Sequence, residues 1–223
     1  VQAYQTRATA VVRFVAALAR ASERIIQVRL VKGAYWDSEI KRCQIQGLAY
    51  FPVFTQKVHT DLSYLSCAQL MLRNANFIYP QFATHNAHTY AAVQHMAEQL
   101  NVRQFEMQCL HGMGEGLYSR ARIYAPVGTH QTLLPYLVRR LLENGANTSF
   151  VNQMVDPNVH VNELLEHPVL TLRRHGVQSN PACVPAPNLF GANRLNSSGL
   201  DLYCKRTVQE LNQAVGSETF ADL

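Results

Sequence analysis

The sequence predicts an α/β fold, and within that class the C-terminal part of a (β/α)8 TIM-like barrel: about five βα units followed by a loop-rich tail. Three observations carry this. Apolar runs of strand length alternate with helix-period patterns five times along the first two thirds of the 223 residues. The run at 25–32 has a telling parity, with Ile26, Val28 and Leu30 on one side and Gln27 and Arg29 on the other, as in a strand with aliphatics toward helices and polar groups toward an interior. Polar residues collect where the strands end, which is where such barrels place their chemistry. At 48% hydrophobic, the chain can bury a sizeable core. The pattern divides it into residues 1–152, the barrel portion, and 153–223, a tail marked by Pro157, Pro168, Pro181, Pro185 and Pro187.

Residues 1–4 read as the tail of a strand. A helix follows over 6–22, with Val11, Phe14, Val15 and Leu18 at helical spacing. After the strand at 25–32 comes the loop Lys32-Gly33-Ala34-Tyr35-Trp36, then helices over 37–50 and 54–73. The next strand is 77–85, where Pro80 implies a bulge or an edge position. It ends in Thr84-His85-Asn86-Ala87-His88 and leads into a helix to about residue 100. The strand at 105–111 sets Glu106, Gln108 and Leu110 against Phe105, Met107 and Cys109, and in the strand at 122–127 Arg122 and Tyr124 share a face.

The helix after that strand holds the most informative cluster. Tyr136, Arg139, Arg140 and Glu143 form one stripe, and Leu133, Leu134, Leu137, Leu141 and Leu142 fall mostly opposite, where they can pack on a core. With Thr132 as N-cap, Pro135 lies in the first turn; with Thr129 as cap, it sits deeper. Adjacent arginines are either a solvated face or a bidentate clamp for a carboxylate or phosphate. Tyr124 and Tyr136 beside such a clamp suit a ligand with a carboxylate head and an apolar body.

Composition narrows the rest. A net charge of +5 permits an anionic ligand, but no Lys/Arg-rich run of the nucleic-acid type occurs. Five scattered cysteines without CxxC spacing favour free thiols in a reducing cytoplasm. His85 and His88 lack a partner spaced for a metal, and none is expected. Lys32 at a strand end could alternatively be a Schiff-base lysine, and Trp36 is either stacked on a cofactor ring or packed in a core.

Two features depart from a complete barrel. Five units cannot close eight strands, so the first strands are expected to be missing. Residues 114–121 are also fewer than the dozen or more a parallel crossover takes, so a segment is expected to be lost between Leu117 and Arg122.

Four strings, VRLVKGAYWDSEIKR (28–42), YPQFATHNAHT (79–89), QCLHGMGE (108–115) and RIYAPVGTHQTLLPYLVRRLLENGANTSFVN (122–152), make the sequence resemble the proline dehydrogenase domain of the bifunctional proline utilization A (PutA) enzymes. The resemblance implies an FAD-dependent barrel, here from its fourth strand onward. It oxidises L-proline to Δ1-pyrroline-5-carboxylate by hydride transfer from C5 to FAD N5 and passes electrons to a membrane quinone. Matched position by position, it implies that Arg29 and Tyr124 are catalytic. Gln2, Arg29, Lys32, Gly33, Ala34, Trp36, Thr84, His85, Gln108 and Glu143 would hold the cofactor. Tyr35, Leu110, Tyr124, Tyr136, Arg139 and Arg140 would hold the substrate. Pro135 departs from the family pattern. The resemblance further implies a cytoplasmic enzyme peripherally associated with the inner membrane, an aldehyde dehydrogenase domain C-terminal to this segment that takes the product to glutamate, and association as a homo-oligomer. Other readings of the same residues are a Schiff-base or metal-dependent barrel lyase and a catalytically silent module of a larger regulator.

Overall fold

The computed structural model describes residues 1–145, 150, 153 and 156–217, without side chains at 115, 143–145, 161 and 217. The chain forms two compact units, Val1–Ala34 with Gln56–Gln178, and Tyr35–Thr55 with Ser179–Leu223.

The first unit is the α/β class expected. Its sheet runs β1 (Ile26–Leu30), β2 (Ile78–Ala83), β3 (Glu106–Leu110) and β4 (Arg122–Tyr124) in sequence order. Every neighbouring pair is parallel. Residues 1–4 add only an isolated bridge, Gln2 to Val31, with the Ala3 and Tyr4 amides donating to the Val31 and Lys32 carbonyls at 2.8 Å. Of the five strands expected, four are therefore full ladders and one is a single bridge. Strand parity holds: Val28 and Leu30 are buried, while Gln27 and Arg29 on the opposite face are exposed. The buried face packs beneath α1 (Ala8–Ala21), α3 (Lys57–Arg73) and α4 (Ala87–Gln99) around Tyr64, Met71, Leu72, Ile78 and Phe82. Asn86 caps α4 by accepting the Thr89 amide at 2.8 Å.

The structure refines several expectations. The buried stripe of α1 is Ala8, Val12, Ala16 and Ala19, whereas Val11, Phe14 and Leu18 are exposed. Alanine admits close approach of α1 to the layer below, so the smaller face was the one chosen. Pro80 sits in an interior strand, not an edge. It pairs with Val28 on one side and stands one residue before the β3 register opens at Gln81, so its missing N–H falls where the strand has a neighbour on one side only. Between β3 and β4, residues 111–121 hold a single 3-10 turn, Glu115–Leu117, in place of a crossover helix. Finally, α5 (His130–Gly145) begins after Thr129, whose carbonyl accepts the Thr132 and Leu133 amides. Pro135 therefore lies in the second turn. The expected packing of its leucines is not found: Leu134, Leu137, Leu141 and Leu142 are exposed, and Tyr136, Arg139 and Arg140 are the partly covered face. Polar contacts, described below, hold that face.

The unit is completed by α6 (Val161–Leu164) and α7 (Pro168–His175). The second unit holds α2 (Trp36–Ile45) and α8 (Lys205–Ser217). Its backbones meet at Gly199, whose amide donates to the Gly47 carbonyl at 2.8 Å; a Cβ on Gly199 would stand 1.8 Å from the Gln46 carbonyl oxygen. Gln44 Nε2 also donates to the Val184 carbonyl at 3.0 Å.

Candidate active site at the carboxyl ends of the strands

Parallel strands bring their carboxyl ends to one edge, so the residues leaving β1 to β4 are neighbours although far apart in sequence. Arg29, on the exposed sheet face, places its guanidinium carbon 5.2 Å from the centre of the Tyr124 ring. Tyr124 is in register with Leu110. The Leu110 amide donates to His85 Nε2 at 3.2 Å. Arg140 lies near enough for its charge to act on His85, and its guanidinium carbon is 5.2 Å from the centre of the Tyr136 ring. Arg139 Nε donates to the Ala34 carbonyl, which returns the chain of contacts to β1. Arg29, Ala34, His85, Leu110, Tyr124, Tyr136, Arg139 and Arg140 are thus brought together.

The loop after β1 is shaped by a close approach. Gly33 has φ +126°, and a Cβ there would stand 2.6–2.7 Å from atoms of the Tyr4 ring, so neither the angle nor the space admits a side chain. Thr84 is buried and its hydroxyl accepts the Asn86 amide at 3.2 Å, which shapes the turn into α4. Gln2 is exposed beside Val31.

Other expected residues are engaged differently. The Lys32 ammonium lies 2.5 Å from an Asp61 carboxylate oxygen, so it turns toward α3, and its backbone is what remains along the strand end. Gln108 is buried and donates to Glu106 at 2.6 Å; Glu106 also receives a bidentate pair from Arg122, with contacts of 2.7 and 2.9 Å. The Arg122 guanidinium, with Gln108 and Gln81 assisting, holds the Glu106 carboxyl below its ordinary range. Tyr35 and Trp36 belong to the second unit. There Tyr35 precedes α2, and Trp36 donates its indole N–H to the Phe54 carbonyl at 2.7 Å. The side chain of Glu143 lies outside the described residues. A cavity of about 650 Å³ opens at the other end of the sheet, where Glu106 and Arg122 begin β3 and β4, and so does not coincide with this cluster.

Burial, with the Arg140 charge added, lowers the pKa of His85 from its ordinary 6.5. The neutral ring suits its role, because Nε2 must be unprotonated to accept the Leu110 amide. A depressed histidine contributes stability that is complete above the unfolded-state pKa and is lost as pH falls toward the folded-state pKa. The urea midpoint is therefore expected to drop between pH 7.5 and 5.5, and His85→Gln to flatten that dependence. An equally steep dependence in the variant would show that His85 does not carry it.

A parallel sheet with cationic and aromatic side chains gathered at its strand ends defines a protein of the barrel-derived α/β class. The chain belongs to the proline dehydrogenase family: the model of that family, described as proline dehydrogenase, matches residues 1–153. It is 51% identical over 235 residues to the bifunctional protein PutA of Salmonella typhimurium and 52% identical over 229 residues to that of Rhizobium meliloti, each match taking in 96% of this chain and 18% of the relative. A crystal structure of bifunctional proline utilization A (PutA) covers the whole chain with a TM-score of 0.89 at 49% identity, over 23% of its own length. The chain therefore spans under a fifth of the curated relatives named here. The Salmonella alignment, at 235 residues, is also longer than the 223 of this chain, so that relative carries residues within the matched span that have no counterpart here.

Sequence reasoning missed Asp61 and the Glu106–Arg122 fork. The signal for the first was Lys57 and Asp61 at i, i+4, a spacing more often seen as a surface pair. The signal for the second was the shared parity of Glu106 and Arg122 on their strands.

Proposed function

We propose that this chain is part of an FAD-dependent proline dehydrogenase that oxidises L-proline to Δ1-pyrroline-5-carboxylate, with residues 1–152 forming the C-terminal portion of the barrel and 153–223 a tail toward a following domain. The observation that carries the reading is the arginine pair on α5 meeting the strand ends through Ala34 and His85. The residues fit the cofactor: Arg29 offers a cation on the exposed sheet face, and Thr84 and His85 stand where β2 ends. FAD, when bound, supplies the hydride acceptor at N5 for the hydrogen leaving proline C5.

The protein's share is orientation and charge. Arg139 and Arg140 pair with the substrate carboxylate, and the bond from Arg139 Nε to Ala34 fixes the plane in which that guanidinium is offered. Tyr124, Tyr136 and Leu110 wall the ring and hold it at near-attack distance. Arg29 stabilises negative charge developing beside it, and the Tyr124 ring keeps its guanidinium over the sheet. Gln2, Lys32, Gly33, Ala34, Thr84 and His85 line the cofactor, with Lys32 acting through its backbone. Gln108 acts from the position that Glu106 fixes. By their match to the family's strings, Tyr35 is assigned to the substrate and Trp36 and Glu143 to the cofactor. Electrons pass onward to a membrane quinone from a cytoplasmic enzyme held peripherally at the inner membrane, and a following aldehyde dehydrogenase domain converts the product to glutamate in a homo-oligomer. Among the described residues no helix is long and apolar enough to cross a membrane.

The test is spectroscopic. The purified protein is expected to carry a flavin band near ~450 nm that L-proline bleaches without oxygen. A colourless protein, a band indifferent to proline, or borohydride trapping of a substrate on Lys32 would overturn the reading.

A further inference from the structure

We propose that Asp61 is a positioning residue that holds the loop after β1 from behind and, through that loop, sets the placement of Arg139. The kinetic part of this rests on the proline-oxidising reading above; the structural part does not.

Strand parity sends the Lys32 side chain to the same side as Leu30, toward the helix layer. There Asp61, in the second turn of α3, takes Lys32 Nζ at 2.5 Å on one oxygen and Lys57 Nζ at 2.6 Å on the other. The three groups are unequally covered. The side chains of Lys32 and Asp61 are 23% and 18% exposed, but that of Lys57 is 48% exposed. Lys57 is thus a solvated counter-charge, and the Lys32–Asp61 bond fastens the loop. Burial lowers the pKa of the Lys32 ammonium, and the carboxylate works against that; the two ammonium groups hold Asp61 below its ordinary range although burial opposes them.

Within the loop, residues 32–34 are each gripped. The Lys32 carbonyl accepts the Tyr4 amide at 2.8 Å, Gly33 lies against the Tyr4 ring, and the Ala34 carbonyl accepts Arg139 Nε. Only Gly33 therefore separates the residue held by Asp61 from the residue that holds Arg139. Beside Lys32 and Asp61 opens a cavity of about 330 Å³, which Asn86, His88 and Thr89 also line. Without the carboxylate, the Lys32 side chain has room there to swing away and take its backbone with it.

The experiment is Asp61→Asn, read two ways. In flavin-free protein, amide hydrogen exchange over residues 31–36 is expected to quicken about tenfold while the core strands keep their protection. In the loaded enzyme, KM for L-proline is expected to rise about tenfold with kcat within about twofold. Asp61→Glu should restore most of both, and Lys57→Met should change neither. If Asp61→Asn does not fold, the apolar pair Lys32→Met with Asp61→Leu removes both charges together and is expected to show the same two effects. Unchanged exchange and unchanged KM would overturn the proposal, as would a general loss of protection with no preference for 31–36. A wild-type protein that binds no flavin or ignores proline would instead overturn the functional reading and leave the exchange result standing.

Discussion

Arg139→Met is expected to raise KM for L-proline by about a hundredfold, the equivalent of about 3 kcal/mol of binding. The expected change in kcat is smaller, within about tenfold. The split follows from where the residue stands. Its Nε is bound to the Ala34 carbonyl, so the guanidinium is oriented before any ligand arrives, and a carboxylate meets the same group in the ground state and in the transition state. Arg140 is expected to behave similarly but with a pH component, since its charge also acts on His85. Steady-state kinetics across proline concentration check both. A collapse of kcat at unchanged KM would mean that Arg139 acts on the reacting atoms and not on the carboxylate.

Phe82→Ala is expected to destabilise the first unit by about 4 kcal/mol and to lower its thermal midpoint by about 10 °C. Phe82 is fully buried in the central strand β2, and its ring meets that of Phe105 edge-on at 5.9 Å between centres. Truncation removes the transfer energy of the ring and leaves a void that neighbours on three helices cannot close. Phe14→Ala is the control. Phe14 is 67% exposed on α1, so its loss is expected to cost within about 0.5 kcal/mol. Urea unfolding of the two variants beside the parent separates these outcomes, and equal midpoints would show that the core does not depend on Phe82.

The strands were legible in the sequence because their two faces differ in chemistry. Gln27 and Arg29 against Val28 and Leu30 leave one way to lay β1 on a core, and Glu106, Gln108, Arg122 and Tyr124 fall on the expected sides. The site residues of α5 were legible for the same reason: a tyrosine and two arginines at helical spacing share a face wherever the helix goes. Which face turns inward was not legible. In α1 both stripes are apolar, and the choice rests on interhelix distance, which favours Ala8, Ala16 and Ala19 over larger neighbours. In α5 the leucine stripe looked like the buried one, yet the polar face makes the contacts that hold the helix. Asp61 was illegible because its partner Lys32 lies 29 residues away, across a turn of chain that local spacing cannot span.

The sheet has a property that follows from its margins. At one border, residues 1–4 contribute a lone bridge at Gln2; at the other, β4 runs for three residues. Open rows of backbone donors and acceptors are what recruit foreign strands and start ordered aggregates. β2 and β3 have neighbours on both flanks, whereas among the described residues 26–28 of β1 keep an open row on their outer side, because residues 1–4 reach only Arg29, Val31 and Lys32. That short row is a place where another extended chain can dock.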